Sequence, residues 1–125
     1  MVLTDAQIVQ AKKDAGQIQP RHEHNDCIRM AYEWLDVQRT TKGKRSADWK
    51  HIIERWCGRY ISDDDVRIAA FMNPKIDGKY PNYNIGKQLT LPSSQRLRAI
   101  GEAGKHNQIL RVGRPNVYKF IESDI

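Results

Sequence analysis

The stretch IGKQLTLPSSQRLRAIGEAG, residues 85–104, holds two short amphipathic pieces around the turn TLP. Ile85 and Leu89 are four residues apart in the first piece, and Leu97 and Ile100 are three residues apart in the second. Residues at these spacings lie on one face of a helix. The pattern predicts a helix-turn-helix, and the alternative is two helices that are neighbours only along the chain.

The second predicted helix presents polar side chains opposite Leu97 and Ile100. Glutamine can pair with adenine and arginine with guanine through two hydrogen bonds, the commonest base-specific contacts. Hydroxyl groups at a helix start can hold a phosphate. A solvated helix face has a similar composition and stays the alternative. The candidate DNA-binding residues of this face are Ser93, Ser94, Gln95, Arg96 and Arg98.

The following segment, QILRVGRPNVYKFIE at residues 108–122, alternates apolar and polar residues on both sides of GRPN. Alternation around a turn-forming tetrapeptide predicts a β-hairpin. Arg114 would lie at its tip, with Arg111 and Lys119 on one face.

Two helices joined by a turn and followed by a hairpin resemble the winged-helix domains of DNA-binding proteins. The resemblance covers about residues 62–121, although the turn TLP is one residue longer than usual and Gly101 interrupts the second helix. It implies a helix in the major groove and a hairpin tip against the minor groove or the backbone. Winged helices also serve as protein-protein modules. By position, the resemblance implicates Gln95, Arg96, Arg98, Arg111, Arg114 and Asn116.

Three further helices are predicted before this region. Thr4 and Gln7 form a capping box for the first, a broad apolar stripe from Cys27 to Leu35 marks the second, and Ser46 caps the third. A fourth helix begins at Ser62, inside the winged-helix-like region. The predicted fold is therefore mainly α with a C-terminal β-hairpin, a winged helix-turn-helix preceded by three helices. Residues 1–61 would support it or dimerise, residues 62–125 would form it, and both would share one compact unit.

The composition favours a globular protein with polyanionic partners. The net charge is +6, hydrophobic residues make up 39% and charged residues 29%. No apolar run approaches the roughly 18 residues of a membrane helix. Only two cysteines are present, so we expect no disulfide framework and a cytoplasmic location.

The segments RTTKGKR (residues 39–45) and PKIDGKYPNYN (residues 74–84) are predicted to be loops. Cations in a mobile loop can grip phosphates or enter a minor groove, and they also occur in plain solvated connectors. From these loops and the following piece, Lys42, Lys44, Arg45 and Lys87 are candidate DNA-binding residues.

Histidine and cysteine residues invite comparison with zinc sites. Their spacing matches no strong zinc pattern, so we expect no metal, although convergence in space stays open. The residues concerned are His22, His24, Cys27, His51 and Cys57.

The function predicted from these features is binding of double-stranded DNA, as a transcriptional regulator or an accessory factor for replication or mobile DNA. The alternatives are a protein-interaction module, such as an inhibitor or adaptor using the basic surface, and a metal-dependent nuclease. No catalytic residue set emerges, so no enzyme activity and no cofactor are expected. No membrane partner is expected, and a homodimer stays open.

Overall fold

A computed structural model describes residues 3–16, 21–106 and 117–123 of the chain. These residues form a mixed α/β structure rather than a mainly α one. The helices are α1 (Asp5–Asp14), α2 (Asn25–Asp36), α3 (Trp49–Cys57), α4 (Asp63–Met72) and a 3₁₀ helix (Ser94–Leu97). The strands are β1 (Thr40–Ser46), β2 (Gly78–Lys79), β3 (Asn82–Ile85), β4 (Leu89–Leu91) and β5 (Tyr118–Ile121).

Local capping signals decide where two helices begin. The Thr4 hydroxyl accepts a hydrogen bond from the Gln7 amide, and the Gln7 side chain accepts one from the Thr4 amide, so the predicted capping box is confirmed. Ser62 and Asp65 form the same arrangement at the start of α4. The predicted cap at Ser46 is wrong, because Ser46 ends β1 and α3 begins after Asp48.

The core is built around α2. Its apolar stripe is fully buried, as predicted, and packs mainly against α4 and α3. Trp34 of α2 lies 6.1 Å from Trp49 of α3 between ring centroids, and both indoles are inaccessible to solvent. Searching the described parts of the chain for a helix that could span a bilayer found none.

Both predicted loops contain strands, so these two predictions are wrong. β1 pairs antiparallel with β3, with Thr40 opposite Ile85 and Ser46 opposite Asn82. β2 pairs with β3 on the other side, which gives the order β1-β3-β2. The register slips between Thr40 and Arg45, so the intervening residues of β1 bulge outwards. The sheet combines residues from both sides of the division predicted near residue 61.

The helix-turn-helix prediction is wrong for the described residues. Ile85 ends β3 and Leu89 begins β4, and no α-helix covers residues 85–104. The two residues lie in strands of different sheets, so their four-residue interval does not reflect a shared helix face. The side chain of Gln38 favours the extended form, since it donates to the Thr90 carbonyl (2.8 Å) and accepts from the Thr90 amide (2.9 Å).

The predicted hairpin is described only in its second arm. β5 pairs in parallel with β4, with Leu89 opposite Tyr118 and Thr90 opposite Phe120. The first arm and the turn lie outside the described residues. A winged-helix fold is therefore not confirmed.

Candidate nucleic-acid interface

Arg96, a predicted base-reading residue, is engaged in an ion-pair cluster. Its guanidinium lies 2.7 Å from Glu122, 2.8 Å from Glu33 and 3.3 Å from Asp36. Hydrogen bonds to Glu122 raise the pKa of Arg96, with Glu33 contributing further. The arginine joins α2, the 3₁₀ helix and the residue after β5, which gives it a structural role. Its predicted role in base reading stays a prediction.

The other residues of the predicted reading face do not form a helical surface. Ser93 is buried, and its hydroxyl accepts a hydrogen bond from the Gln95 amide, so it caps the 3₁₀ helix. Its predicted phosphate contact stays a prediction. Ser94, Gln95 and Arg98 are exposed on or beside the 3₁₀ helix. One turn of 3₁₀ helix is too short to follow a major groove.

Two of the predicted loop cations have partners within the protein. The guanidinium of Arg45 donates to the carbonyls of Ile85 (3.0 Å) and Gly86 (2.8 Å) and lies 5.1 Å from the Trp49 ring centroid. Arg45 therefore connects β1 to β3 and α3, and its assignment as a DNA contact stays a prediction. Lys44 lies 3.3 Å from Asp77, and both side chains are exposed.

Other cations near β1 form no ion pair with any described residue. Lys42 is exposed in the β1 bulge, and Lys87 is exposed in the connection between β3 and β4. The Gly86 amide donates to the Arg39 carbonyl (3.0 Å), which brings this connection beside the start of β1.

Arg39 extends this group towards β5. Its guanidinium carbon lies 3.7 Å from the Phe120 ring centroid, which holds the charge in place by a cation–π contact. Lys119, the neighbour of Phe120 in β5, is exposed. We call these four cations the basic edge: Arg39, Lys42, Lys87 and Lys119.

Of the basic edge, Lys42 and Lys87 were predicted from the sequence as DNA-binding residues, whereas Arg39 and Lys119 were not. Arg39 opens the basic cluster RTTKGKR, so its charge was visible, whereas its contact with β5 depends on a residue 81 positions away. The predicted hairpin contacts Arg111, Arg114 and Asn116 lie outside the described residues and stay predictions.

The histidines and cysteines have structural partners. Burial raises the pKa of both the Cys27 and the Cys57 thiol to about 12, which keeps them protonated and unreactive. His24 caps α2 and His51 lies 2.6 Å from Asp48. Within the described ranges, no group of three or more His, Cys, Asp or Glu side chains is placed to hold a metal ion.

The half-buried His22 lies beside the buried Asp65. Its Nδ1 lies 3.3 Å from the Asp65 Oδ1 without hydrogen-bond geometry, and its Nε2 lies 2.9 Å from the Lys12 ammonium. Burial, reinforced by Lys12, lowers the pKa of His22. Burial also raises the pKa of Asp65 to about 7. This pair lies at the start of α4, and neither residue belongs to the basic edge.

Comparison with protein-family models, curated proteins and solved structures found no match for this chain. A proposal for its function therefore depends on the residues and contacts described above.

Proposed function

We propose that this protein binds double-stranded DNA through contacts between the cations of the basic edge and the phosphate backbone. The observation that carries the proposal is a contrast between two sets of cations. Arg29, Arg59 and Arg96 each form at least two ion pairs with carboxylates. The basic edge has no such partner among the described residues, so its charges are available to an external polyanion.

The chemistry of the basic edge suits backbone contact better than base recognition. Lysine ammonium groups act as point charges towards phosphate, whereas base reading needs side chains held against a groove edge. The bulge of β1 and the turn at Gly86 carry Lys42 and Lys87 on exposed connecting backbone. The proposed role is an accessory factor for replication or mobile DNA, with weak sequence preference, rather than a sequence-specific transcriptional regulator.

Salt dependence tests the proposal. Fluorescence anisotropy with a random-sequence duplex should show a binding constant that falls steeply with salt, because each phosphate contact contributes about −0.9 to the log–log slope. The double variant Lys42→Ala/Lys87→Ala should reduce that slope by about 2 and leave the melting temperature unchanged. Lys13→Ala, an exposed lysine on α1, is the matched control and should keep the wild-type slope. Absence of binding at low salt, or a double variant with the wild-type slope, overturns the proposal.

A second candidate function follows from the position of β1. This strand lies at one edge of its sheet, and an edge strand can pair with an extended segment of another protein. An adaptor or inhibitor would then use the same cations against an acidic peptide. Binding of an acidic peptide without binding of duplex DNA at low salt favours this function.

A further inference from the structure

A groove of about 600 Å³ lies between α4 and the β2–β3 hairpin, on lining residues separate from the basic edge. Cavities of this size commonly accept small molecules. Phe71 and Arg67 of α4 line one side, and Lys79, Tyr80 and Tyr83 of the hairpin line the other. The groove therefore combines aromatic and cationic side chains.

The α4 side offers a flat aromatic face. Phe71 is 55% exposed, which is unusual for a phenyl ring on a helix whose neighbours Ala69 and Ala70 are buried. Arg67 precedes Phe71 by four residues, so both lie on the same helix face. Across the groove, the Arg67 guanidinium carbon is 5.2 Å from the Tyr80 ring centroid. An exposed ring in such a setting can stack against the ring of a ligand.

The floor of the groove contains the side chain of Tyr83. Tyr83 is only 2% exposed, and its ring packs against Trp49 and Tyr80. A tyrosine hydroxyl can form hydrogen bonds both as a donor and as an acceptor. The Tyr83 hydroxyl forms none with the residues that the structure describes, although the side chain lines the groove. A polar atom of a ligand in the groove would give the Tyr83 hydroxyl a hydrogen-bond partner.

The charge of the groove favours an anion. Asp77 is its acidic lining residue and is neutralised by Lys44 at 3.3 Å. The guanidinium of Arg67 already forms an ion pair with the Asp64 carboxylate, at an N–O distance of 2.7 Å. Lys79 is exposed and has no ion-pair partner in the described ranges, so its ammonium is free to bind an anionic group.

We propose that this groove binds a nucleotide, with the base stacked on Phe71, a polar edge of the base on the Tyr83 hydroxyl, and the phosphate on Lys79. The same chemistry is presented by a free nucleotide and by one nucleotide of a single strand. The proposal shares no residue with the basic edge and does not depend on duplex binding.

Nuclear magnetic resonance of the ¹⁵N-labelled protein tests this assignment with four probes. They are adenosine monophosphate, adenosine, inorganic phosphate and a short single-stranded oligodeoxyadenylate. Adenosine monophosphate should shift the amide signals of Phe71, Gly78 and Lys79 in a saturable manner, and adenosine should do so more weakly. A stronger effect of the oligonucleotide on the same signals identifies the strand as the source, and an equal or weaker effect identifies the free nucleotide.

Three variants separate the contacts. Phe71→Ala should weaken adenosine monophosphate binding by between about 5-fold and 150-fold, the range for loss of one stacking contact. Val9→Ala, which truncates an exposed apolar side chain on α1, is the control and should bind like the wild type. Tyr83→Phe should weaken binding by about 2-fold to 10-fold while leaving the melting temperature unchanged, because the hydroxyl has no partner to lose. Lys79→Ala should abolish the preference for adenosine monophosphate over adenosine.

Four results overturn the proposal. The first is the absence of saturable shifts with both adenosine monophosphate and the oligonucleotide at millimolar concentration. The second is a set of shifts that lies outside the groove. The third is equal binding by Phe71→Ala and Val9→Ala. The fourth is inorganic phosphate alone reproducing the full effect, since this would show that the aromatic wall takes no part.

Discussion

Arg96 and Glu122 form a two-pronged ion pair, with both guanidinium–carboxylate hydrogen bonds at 2.7 Å. The same carboxylate accepts a hydrogen bond from the Ser93 amide at 2.8 Å. The chain end after β5 is thus attached to the 3₁₀ helix by three hydrogen bonds to one side chain. Because Arg96 also contacts Glu33 of α2, the pair anchors this end to the core helix.

Arg96→Ala should destabilise the protein by about 1.5–3 kcal/mol, the usual contribution of hydrogen bonds to charged groups. The buried carboxylate of Glu33 loses its partner in this variant, which adds to the cost. Arg98→Ala is the matched control, since Arg98 is exposed and forms no ion pair in the described part of the chain. Urea unfolding should separate the two variants, and equal midpoints would contradict the structural role of Arg96.

The Arg96–Glu122 pair should also impart a pH dependence. Hydrogen bonds from Arg96 hold the pKa of Glu122 below its ordinary value of 4.5. A carboxyl whose pKa is depressed by folding stabilises the protein above its ordinary pKa and loses that contribution as the pH falls through the folded value. Glu122→Gln should therefore be less stable than the wild type by on the order of 1 kcal/mol at neutral pH, with a gap that narrows below pH 4.5. A gap that is constant across this range in urea titrations would contradict the assignment.

The contribution of Asp65 to stability should have the opposite pH dependence from that of Glu122. Burial raises its pKa from 3.8 to about 7, so the folded protein binds this proton more strongly than the unfolded chain. The stabilisation is complete below pH 3.8 and is lost as the pH rises to about 7. Asn at this position resembles the protonated acid and can still accept the hydrogen bond from the Ser62 amide.

The stability of Asp65→Asn relative to wild type should therefore increase as the pH rises from about 4 to about 7 and then level off. Thermal melts across that range measure the difference. Asp65→Ala serves as the control, since it also lacks the carboxyl but loses the hydrogen bond from the Ser62 amide, and it should be about 1 kcal/mol less stable than Asp65→Asn at every pH. A relative stability of Asp65→Asn that falls with rising pH would refute the assignment.

Gly78 should not tolerate a side chain. Its φ of +124° is rarely adopted by other residues, and an added Cβ would lie 2.1 Å from the Asn82 carbonyl oxygen across the hairpin. Gly78→Ala should cost about 1–3 kcal/mol or displace β2 from β3. Gly43→Ala, at a position with open space around the Cβ, should stay within about 0.5 kcal/mol of the wild type. Chemical denaturation of both variants compares them, and equal stability would show that the hairpin has another backbone geometry.

The local parts of the fold were predictable from the sequence. The capping boxes at Thr4 and Ser62 involve residues three positions apart, and the stripe of α2 lies within a single helix. Trp34 belongs to that stripe and is fully buried. Such features depend on spacing along the chain, which is directly visible in the sequence.

The strands and the availability of the cations were not predictable in the same way. RTTKGKR has the composition of a loop, yet its residues gain strand geometry from β3, about 40 positions later. Arg45 and Lys87 are both cations near Gly86, and only the contacts of the folded chain distinguish the bonded Arg45 from the exposed Lys87. Arg39 is likewise recognised as part of the candidate site only in the folded chain, where its guanidinium contacts the Phe120 ring.

By itself, the sequence determined the four helices, the apolar face of α2 and the excess of positive charge, because these follow from neighbouring residues and from composition. Only the tertiary structure decided that Ile85 and Leu89 belong to strands and that Arg96 is neutralised. The physical reason is distance along the chain: the Arg96–Glu33 hydrogen bond joins residues 63 positions apart. Backbone pairing and ion pairing at such separations depend on how the helices pack, and no local pattern encodes that packing.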